Sequence, residues 1–331
     1  MKALLYQRYG GPEVLRVVEL ERPVPARDQL LVKVHATTVN RTDNATIRAI
    51  PFLARLVTGL IRPRWPIPGS EFAGVVEATG EAVSGFEIGD RVYGFQDLGA
   101  GAHAEYLVVK ADYAVRMPDS ISFAQAAAGS EGLHYAWNST RKLYSRASTS
   151  ALVYGASGAI GSAAVQLLKF RGLAVTAVCS TRHTGLLRTL GADKVVDYTK
   201  QDFANEVFEH DSQRYDLVFD AVGKASFFRC YRLLRRGGIY VSSDLGFMAQ
   251  NIFLPIITPL IRFVLGGRYA VSPFPTDIPY SLALRNRMIE AGSWQPVIDR
   301  QYRFDEIIEA YRYVAEEHKT GNVVINLDSE S

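Results

Sequence analysis

The sequence predicts an α/β protein in which a β-rich part is joined to a doubly wound parallel sheet, and three observations carry the prediction. Up to about residue 118 the chain reads as short strands punctuated by Gly and Pro. Beyond Met117-Pro118, short apolar runs alternate with helical patterns, the signature of strands covered on both faces by helices. At one junction a glycine-rich turn leads from a strand into an amphipathic helix. The 331 residues suit two domains or three, at about 100–200 residues each.

The elements follow in order. Leu31 to Ala36 alternates apolar and polar residues, the period of a half-buried strand. Phe72–Ala78, Asp90–Phe95 and Ala104–Val109 repeat that texture with turn residues between them, which predicts an antiparallel barrel or sandwich. Ser122 to Leu143 reads as helical. Strands are then expected at Ala151–Tyr154, Ala174–Cys179, Lys194–Asp197, Asp216–Ala221 and Gly238–Ser242. Between the first two, Ile160, Ala164, Leu167 and Leu168 form one stripe of a helix. The tail predicts helices over Asp277–Ala291 and Asp305–Glu317 and a closing strand at Val323–Leu327.

Composition removes several classes of function. Two cysteines, Cys179 and Cys230, rule out a disulfide scaffold and any four-cysteine metal site. Lys and Arg number 37 against 34 Asp and Glu, with no long run of like charge, so no nucleic-acid partner is expected. The N-terminus turns polar too soon for a signal-peptide core, and the greasiest stretch, Ile252 to Leu265, falls short of a membrane span. A soluble protein of the reducing cytoplasm is the expectation.

The sharpest signal is the turn containing Gly155, Ser157, Gly158, Ala159, Ile160 and Gly161. A strand, a tight turn and a helix in this order let backbone N–H groups meet a pyrophosphate at the helix's positive end. A Cβ at Gly158 would obstruct that approach, and one at Gly161 would push the helix off the strand. The next strand ends in Ser180, Thr181 and Arg182, with no acid to take the ribose hydroxyls of NAD. Hydroxyls and a guanidinium suit a 2′-phosphate, so NADPH is the expected cofactor; the alternative is that Arg182 is a solvated loop residue.

Ordered motifs then accumulate along the whole chain: Gly11 to Leu15, Ala36 to Asp43, Pro68 to Val76, Gly89 to Gly94, the glycine turn, Leu190 to Tyr198, Phe219 to Gly223 and His318 to Val324. Together they resemble the medium-chain dehydrogenase/reductase superfamily, in its zinc-free quinone oxidoreductase and enone/alkenal reductase branch. The resemblance implies a GroES-like β-rich catalytic domain (1–118, completed by 269–331) with an inserted Rossmann domain (119–268), and a site in the cleft. It implies that Ser180, Arg182 and Tyr198 surround the adenosine phosphate and that Ala221 and Val222 line the nicotinamide side. Asn322 would approach the cofactor from the C-terminal segment.

Where zinc-dependent relatives carry Cys and His ligands, the matching positions here read Asn40, Ser70-Glu71 and the Gly129 to Glu131 region. No thiolate or imidazole stands there, so no metal site is expected. His103 would need partners not evident in the sequence. Hydride transfer to an activated double bond requires positioning and hydrogen bonds to a carbonyl oxygen rather than a Lewis acid. A quinone or an α,β-unsaturated carbonyl is therefore the expected substrate. Asn40 is the candidate hydrogen-bond donor or substrate positioner, and Asp43 its organiser. His134 either donates a proton or fills space. The alternatives are an alcohol dehydrogenase, which the missing ligands oppose, or a non-catalytic nucleotide- or nucleic-acid-binding protein on the same fold.

Two features need separate notice. Tyr106 and Lys110 spell the YxxxK of short-chain dehydrogenases, but their segment reads as a strand, where the two side chains lie too far apart to cooperate. The greasy residues Phe247 to Leu265 suit a lipid-like substrate pocket, ordinary core or homodimer packing, or weak peripheral membrane contact. The last reading is helped by Arg55, Arg62 and Arg64 beside the apolar stretch Phe52–Ile61.

Overall fold

A computed structural model describes residues 1–97, 99, 101–145, 149–200, 214–243, 250–272 and 275–327. The chain divides into two compact units. The first comprises Met1–Glu131, Asp277–Ala291 and Pro296–Ser331; the second comprises Gly132–Thr276 and Gly292–Gln295. The first junction lies beyond the expected 118 because the helix Phe123–Ala127 packs on strands of the first unit; the second, after Thr276, lies beyond the expected 268.

The first unit begins with a hairpin-like pair, β1 (Lys2–Leu5) and β2 (Arg16–Glu19). Then come β3 (Gln29–Val39), β4 (Glu71–Thr79), β5 (Arg91–Phe95), β6 (Tyr106–Lys110) and β7 (Ala114–Arg116). In the second unit follow β8 (Ser150–Tyr154), β9 (Ala174–Cys179), β10 (Lys194–Asp197), β11 (Tyr215–Asp220), β12 (Leu234–Ser242) and β13 (Tyr269–Val271). The chain returns to the first unit with β14 (Ile298–Arg303) and β15 (Asn322–Asn326).

The long strand β3 organises the first unit. One of its edges pairs with β4; the other is shared, with Gln29 to Lys33 on β6 and Ala36 to Val39 on β15. The remaining order is β14-β15-β3-β4-β5-β7, antiparallel except for the β14–β15 pair. Leu30, Val32, Val34, Phe72, Val92 and Leu107 close one core of this unit. Leu4, Tyr6, Val39, Ile47, Ile307 and Tyr311 close another. Because β6 is extended, Tyr106 and Lys110 have no helical turn to bring them together.

The second unit has a six-stranded parallel sheet in the order β10-β9-β8-β11-β12-β13. This is the doubly wound arrangement, in which the strand order reverses between β8 and β11 and opens a crevice at the carboxyl ends. Its apolar core runs from Leu152 and Val178 through Val218 and Phe227 to Tyr240.

Two expectations change. Ser122–Leu143 is not one helix but two, Phe123–Ala127 and Ser130–Thr140, broken at Ala128-Gly129. Gly129 sits at φ +100°, a conformation favoured by glycine, and its N–H turns away to a side chain of β4. The greasy segment is only partly core in its described part, where Leu254 joins the core of the second unit. Phe253, Ile256, Leu260, Phe263 and Val264 are all exposed, while Leu254 and Thr258 face inward; residues 244–249 lie outside the described residues. Among the described residues no helix is long and apolar enough to cross a membrane.

The glycine turn yields a stability test. A Cβ on Gly161 would stand 2.2 Å from the Gly155 carbonyl oxygen and 2.8 Å from Ala156 Cα. A Cβ on Gly158 would meet nothing closer than that same oxygen at 3.6 Å. Gly161→Ala is expected to lose about 1–3 kcal/mol in urea unfolding, with Gly158→Ala close to wild type.

Candidate active site

The expected cofactor residues of the second unit all lie at the carboxyl ends of its strands β8 to β11. Gly155 to Gly161 follow β8, Ser180 to Arg182 follow β9, Tyr198 follows β10, and Ala221 and Val222 follow β11. Gly158 is the N-cap of the helix Ala159–Phe170, whose first-turn N–H groups have no acceptor within the helix. The open space over Gly158 is the cradle a Cβ would narrow, so the turn fits a bound pyrophosphate. Tyr198 is half exposed and leans on Tyr154, ring centroids 6.1 Å apart. Arg182 is exposed.

A buried acid that sequence reading missed holds the β11 turn. Asp220 accepts the N–H groups of Val222 (3.1 Å), Gly223 (2.9 Å) and Ala225 (2.8 Å) and the hydroxyl of Tyr240. A second acid reaches Thr181 from the neighbouring strand. Asp197, at the end of β10, accepts the hydroxyls of Thr181 (2.5 Å) and Thr199 (2.6 Å). The hydroxyl hydrogen of Thr181 is thus committed within the chain, contrary to its expected part in phosphate binding. Ser180 Oγ lies 3.1 Å from His183 Nδ1.

In the first unit, the three positions that match the metal ligands of zinc-dependent relatives come together. Asn40 Nδ2 donates to Glu71 Oε2 at 2.8 Å and to Glu131 Oε2 at 3.0 Å. Glu71, fully buried, also accepts Thr38 Oγ1 at 2.5 Å and the N–H groups of Gly129 (3.1 Å) and Glu131 (2.7 Å). Glu131 accepts the hydroxyl of Thr42. Lys319 Nζ donates to Asn40 Oδ1 at 3.1 Å. Asp43 takes the Asn40 backbone N–H at 2.7 Å and caps the helix Arg41–Arg48.

This geometry corrects one expectation. Both hydrogens of the Asn40 amide are used by Glu71 and Glu131, and its oxygen by Lys319. Asn40 therefore has no hydrogen left for a substrate carbonyl and serves as the hub of the cluster. Asp43, expected as the organiser of Asn40, is joined to it through the Asn40 backbone N–H. The donor set does not fit zinc, since it offers neither thiolate nor imidazole and its carboxylates already hold N–H and O–H donors.

Arg285 and Lys319 were missed. Arg285 is fully buried and donates to the carbonyls of Gln125, Ala126 and Ala128 and to Ser130 Oγ, at 2.6–2.9 Å. It thereby fixes the break between the two helices. Its position on the stripe with Ser281, Leu282 and Met288 was a readable signal, a cation on a buried face. Lys319 stands inside the His318 to Val324 motif, where no local pattern marks it.

The other expected residues are placed as follows. His134 is buried in the second unit, with Asn138 Nδ2 3.4 Å from its Nε2. Asn322 is buried in the first unit; its amide nitrogen donates to Val297 O at 3.0 Å, while Oδ1 has no partner among the described residues. His103 is pinned by Thr38 O (2.8 Å) and Tyr311 Oη (3.2 Å), and burial lowers its pKa to about 4.

Burial dominates the electrostatics of the Asn40 cluster. It raises Glu131 to about 8, with Glu71 and Asp43 adding like charge. It raises Asp43 to about 7 against the opposing Asn40 N–H, and raises Glu71 as well. Burial lowers Lys319 to about 8, with the carboxylates of Glu131 and Glu71 pulling the other way. The folded chain therefore binds more protons than the unfolded one between the ordinary 4.5 of Glu131 and about 8. Stability from this source is full at low pH and lost as pH rises through that window. His103 works oppositely, but only up to its ordinary 6.5, and Lys319 restores stability only above about 8. The thermal midpoint is expected to fall between pH 6.5 and 8, and Glu131→Gln to flatten the fall. A wild-type midpoint that stays level or climbs across that interval would contradict the assignment.

Comparison with known proteins agrees with this architecture. The chain matches the alcohol dehydrogenase GroES-like domain over residues 26–119 and the zinc-binding dehydrogenase family over residues 190–325. It is 32% identical to 2-methylene-furan-3-one reductase of Solanum lycopersicum, covering 98% of this chain and 79% of that one. It is also 32% identical to the chloroplastic NADPH-dependent alkenal/one oxidoreductase of Arabidopsis thaliana, with the same coverage. The solved quinone oxidoreductase from Coxiella burnetii superposes with a TM-score of 0.81 at 25% identity, over 99% of each chain. Matches of this extent over both units establish that the chain belongs to the medium-chain dehydrogenase/reductase superfamily, in its zinc-free quinone oxidoreductase and enone reductase branch.

Proposed function

We propose that the chain is an NADPH-dependent, metal-independent reductase of quinones or α,β-unsaturated carbonyls. The observation that carries the reading is the donor set of the Asn40–Glu71–Glu131 cluster, whose hydrogen-bonded carboxylates stand where relatives would hold a Lewis acid. An acceptor already activated by conjugation needs no such acid. When bound, NADPH supplies the hydride.

The turn Gly155, Ser157, Gly158, Ala159, Ile160 and Gly161 would hold the pyrophosphate on backbone N–H groups. Ser180, Thr181 through its backbone, Arg182 and Tyr198 would meet the adenosine phosphate. Ala221 and Val222, fixed by Asp220, would flank the nicotinamide, and the unpartnered Oδ1 of Asn322 offers an acceptor to it. Asn40 and Asp43 act as positioning residues that keep Lys319, Glu71 and Glu131 in register. His134, buried against Asn138, is assigned to shaping the site rather than to proton transfer.

A homodimer and a cytoplasmic location complete the reading. The edge strand β13 and the exposed apolar residues 253–264 support the first. The buried thiols of Cys179 and Cys230, which form no disulfide, suit a reducing compartment.

The test is NADPH oxidation against quinones, enals, enones and simple aldehydes. Turnover of the conjugated acceptors is expected; turnover of simple aldehydes alone, or none, would overturn the reading. Arg182→Ala should raise KM for NADPH roughly 10–100-fold, the loss of a charge-assisted hydrogen bond, with KM for NADH unchanged. His134→Ala should leave the pH profile of kcat in place.

A further inference from the structure

Between Asp43 and Glu71 the first unit carries no acid, but four arginines: Arg48, Arg55, Arg62 and Arg64. The same stretch presents apolar side chains that no core of the unit takes up. Phe52 is 72% exposed, Leu56 69%, Leu60 66% and Ile61 86%. These are not the ends of a loose loop. Tyr9 Oη donates to Gly59 O at 2.7 Å, and the Arg64 N–H donates to the Thr58 carbonyl at 2.7 Å. The Arg55 guanidinium lies over the rings of Tyr9 and Phe52, 4.7 and 4.9 Å from their centroids. The segment is held to the body of the unit with its apolar side chains turned to solvent.

An open groove of about 720 Å³ adjoins it, lined by Arg8, Arg16 and Arg62 with Val14 and Ile61 as apolar wall. Its one acid, Glu13, turns its carboxylate to the Gly11 N–H at 2.7 Å. Basic groove and apolar ridge thus share Ile61 and Arg62.

We propose that this face docks on an anionic lipid bilayer, with Phe52, Leu56, Leu60 and Ile61 entering the acyl boundary and Arg8, Arg16 and Arg62 meeting headgroup phosphates. Apolar side chains rimmed by arginine, with hardly an acid among them, match a surface that is greasy below and negative above. A second copy of the chain is a poorer occupant. A two-fold contact would set this arginine-rich face against itself. The inference is independent of the reductase reading.

The test is co-sedimentation of the full-length protein with vesicles of phosphatidylcholine alone and of phosphatidylcholine with one quarter phosphatidylserine, in 0.1 M salt. Binding is expected only with the anionic vesicles, weakening in 0.5 M salt. Phe52→Asp with Ile61→Asp, and separately Arg62→Glu with Arg64→Glu, should each lower the partition coefficient about tenfold or more. All four residues are exposed or on the exposed segment, so an unchanged thermal midpoint checks that the variants are folded. Phe263→Asp, on the other unit, should leave binding as in wild type. The proposal fails if the wild type ignores anionic vesicles, or if Phe263→Asp abolishes binding while the other variants retain it. It also fails if Phe52→Asp with Ile61→Asp disperses a self-associated form that never bound vesicles.

Discussion

The first unit is built around a carboxylate it cannot leave unsatisfied. Glu71 is wholly buried, and an uncompensated charge there would cost several kcal/mol. Its donors come from two stretches distant in sequence, the end of β3 with the residue after it, and the break between two helices. Satisfying it therefore fixes Thr38, Asn40, Gly129 and Glu131 together. The helical pattern after Ser122 must stop at Gly129, because that N–H is spent on Glu71 rather than on the helix. Arg285 secures the same break from the other side by taking the carbonyls the short helix leaves open.

Buried acids do similar work in the second unit. Asp220 ties the turn after β11, and Asp197 ties Thr181 and Thr199 after β9 and β10. Loops at strand ends are ordinarily the mobile parts of a doubly wound sheet. Here loops that would face a dinucleotide are braced by acids at the ends of β10 and β11, which preorganises them before any ligand arrives.

Much of this was legible in the sequence where the signal was local. Strand periods, the glycine turn and the closing strand near Asn322 follow from spacing alone, and β8 to β12 fall within a few residues of their expected positions. The Asn40, Glu71 and Glu131 positions could be aligned with a catalytic site through resemblance, but their hydrogen bonds could not be read. An isolated amide in a sequence reads as a donor; only the folded partners Glu71 and Glu131 show that the Asn40 amide has no hydrogen left to give. Lys319 was hidden because its meaning depends on a residue about 280 positions earlier. Arg285 was more readable, since its helical phase places a charge among Leu282 and Met288.

The placement of β15 has a consequence for how the chain comes to exist. It is an interior strand, pairing Val323 with Val39 on one side and Ile325 with Tyr302 on the other. Until residues past 320 are made, β14 has no partner and the later half of β3 keeps an open edge. The sheet of the second unit, by contrast, is drawn from one continuous stretch and can form as it leaves the ribosome. Completion of the two sheets thus runs opposite to position in the chain: the inserted unit has all its strands first, and the unit that starts the sequence has its last strand only at β15.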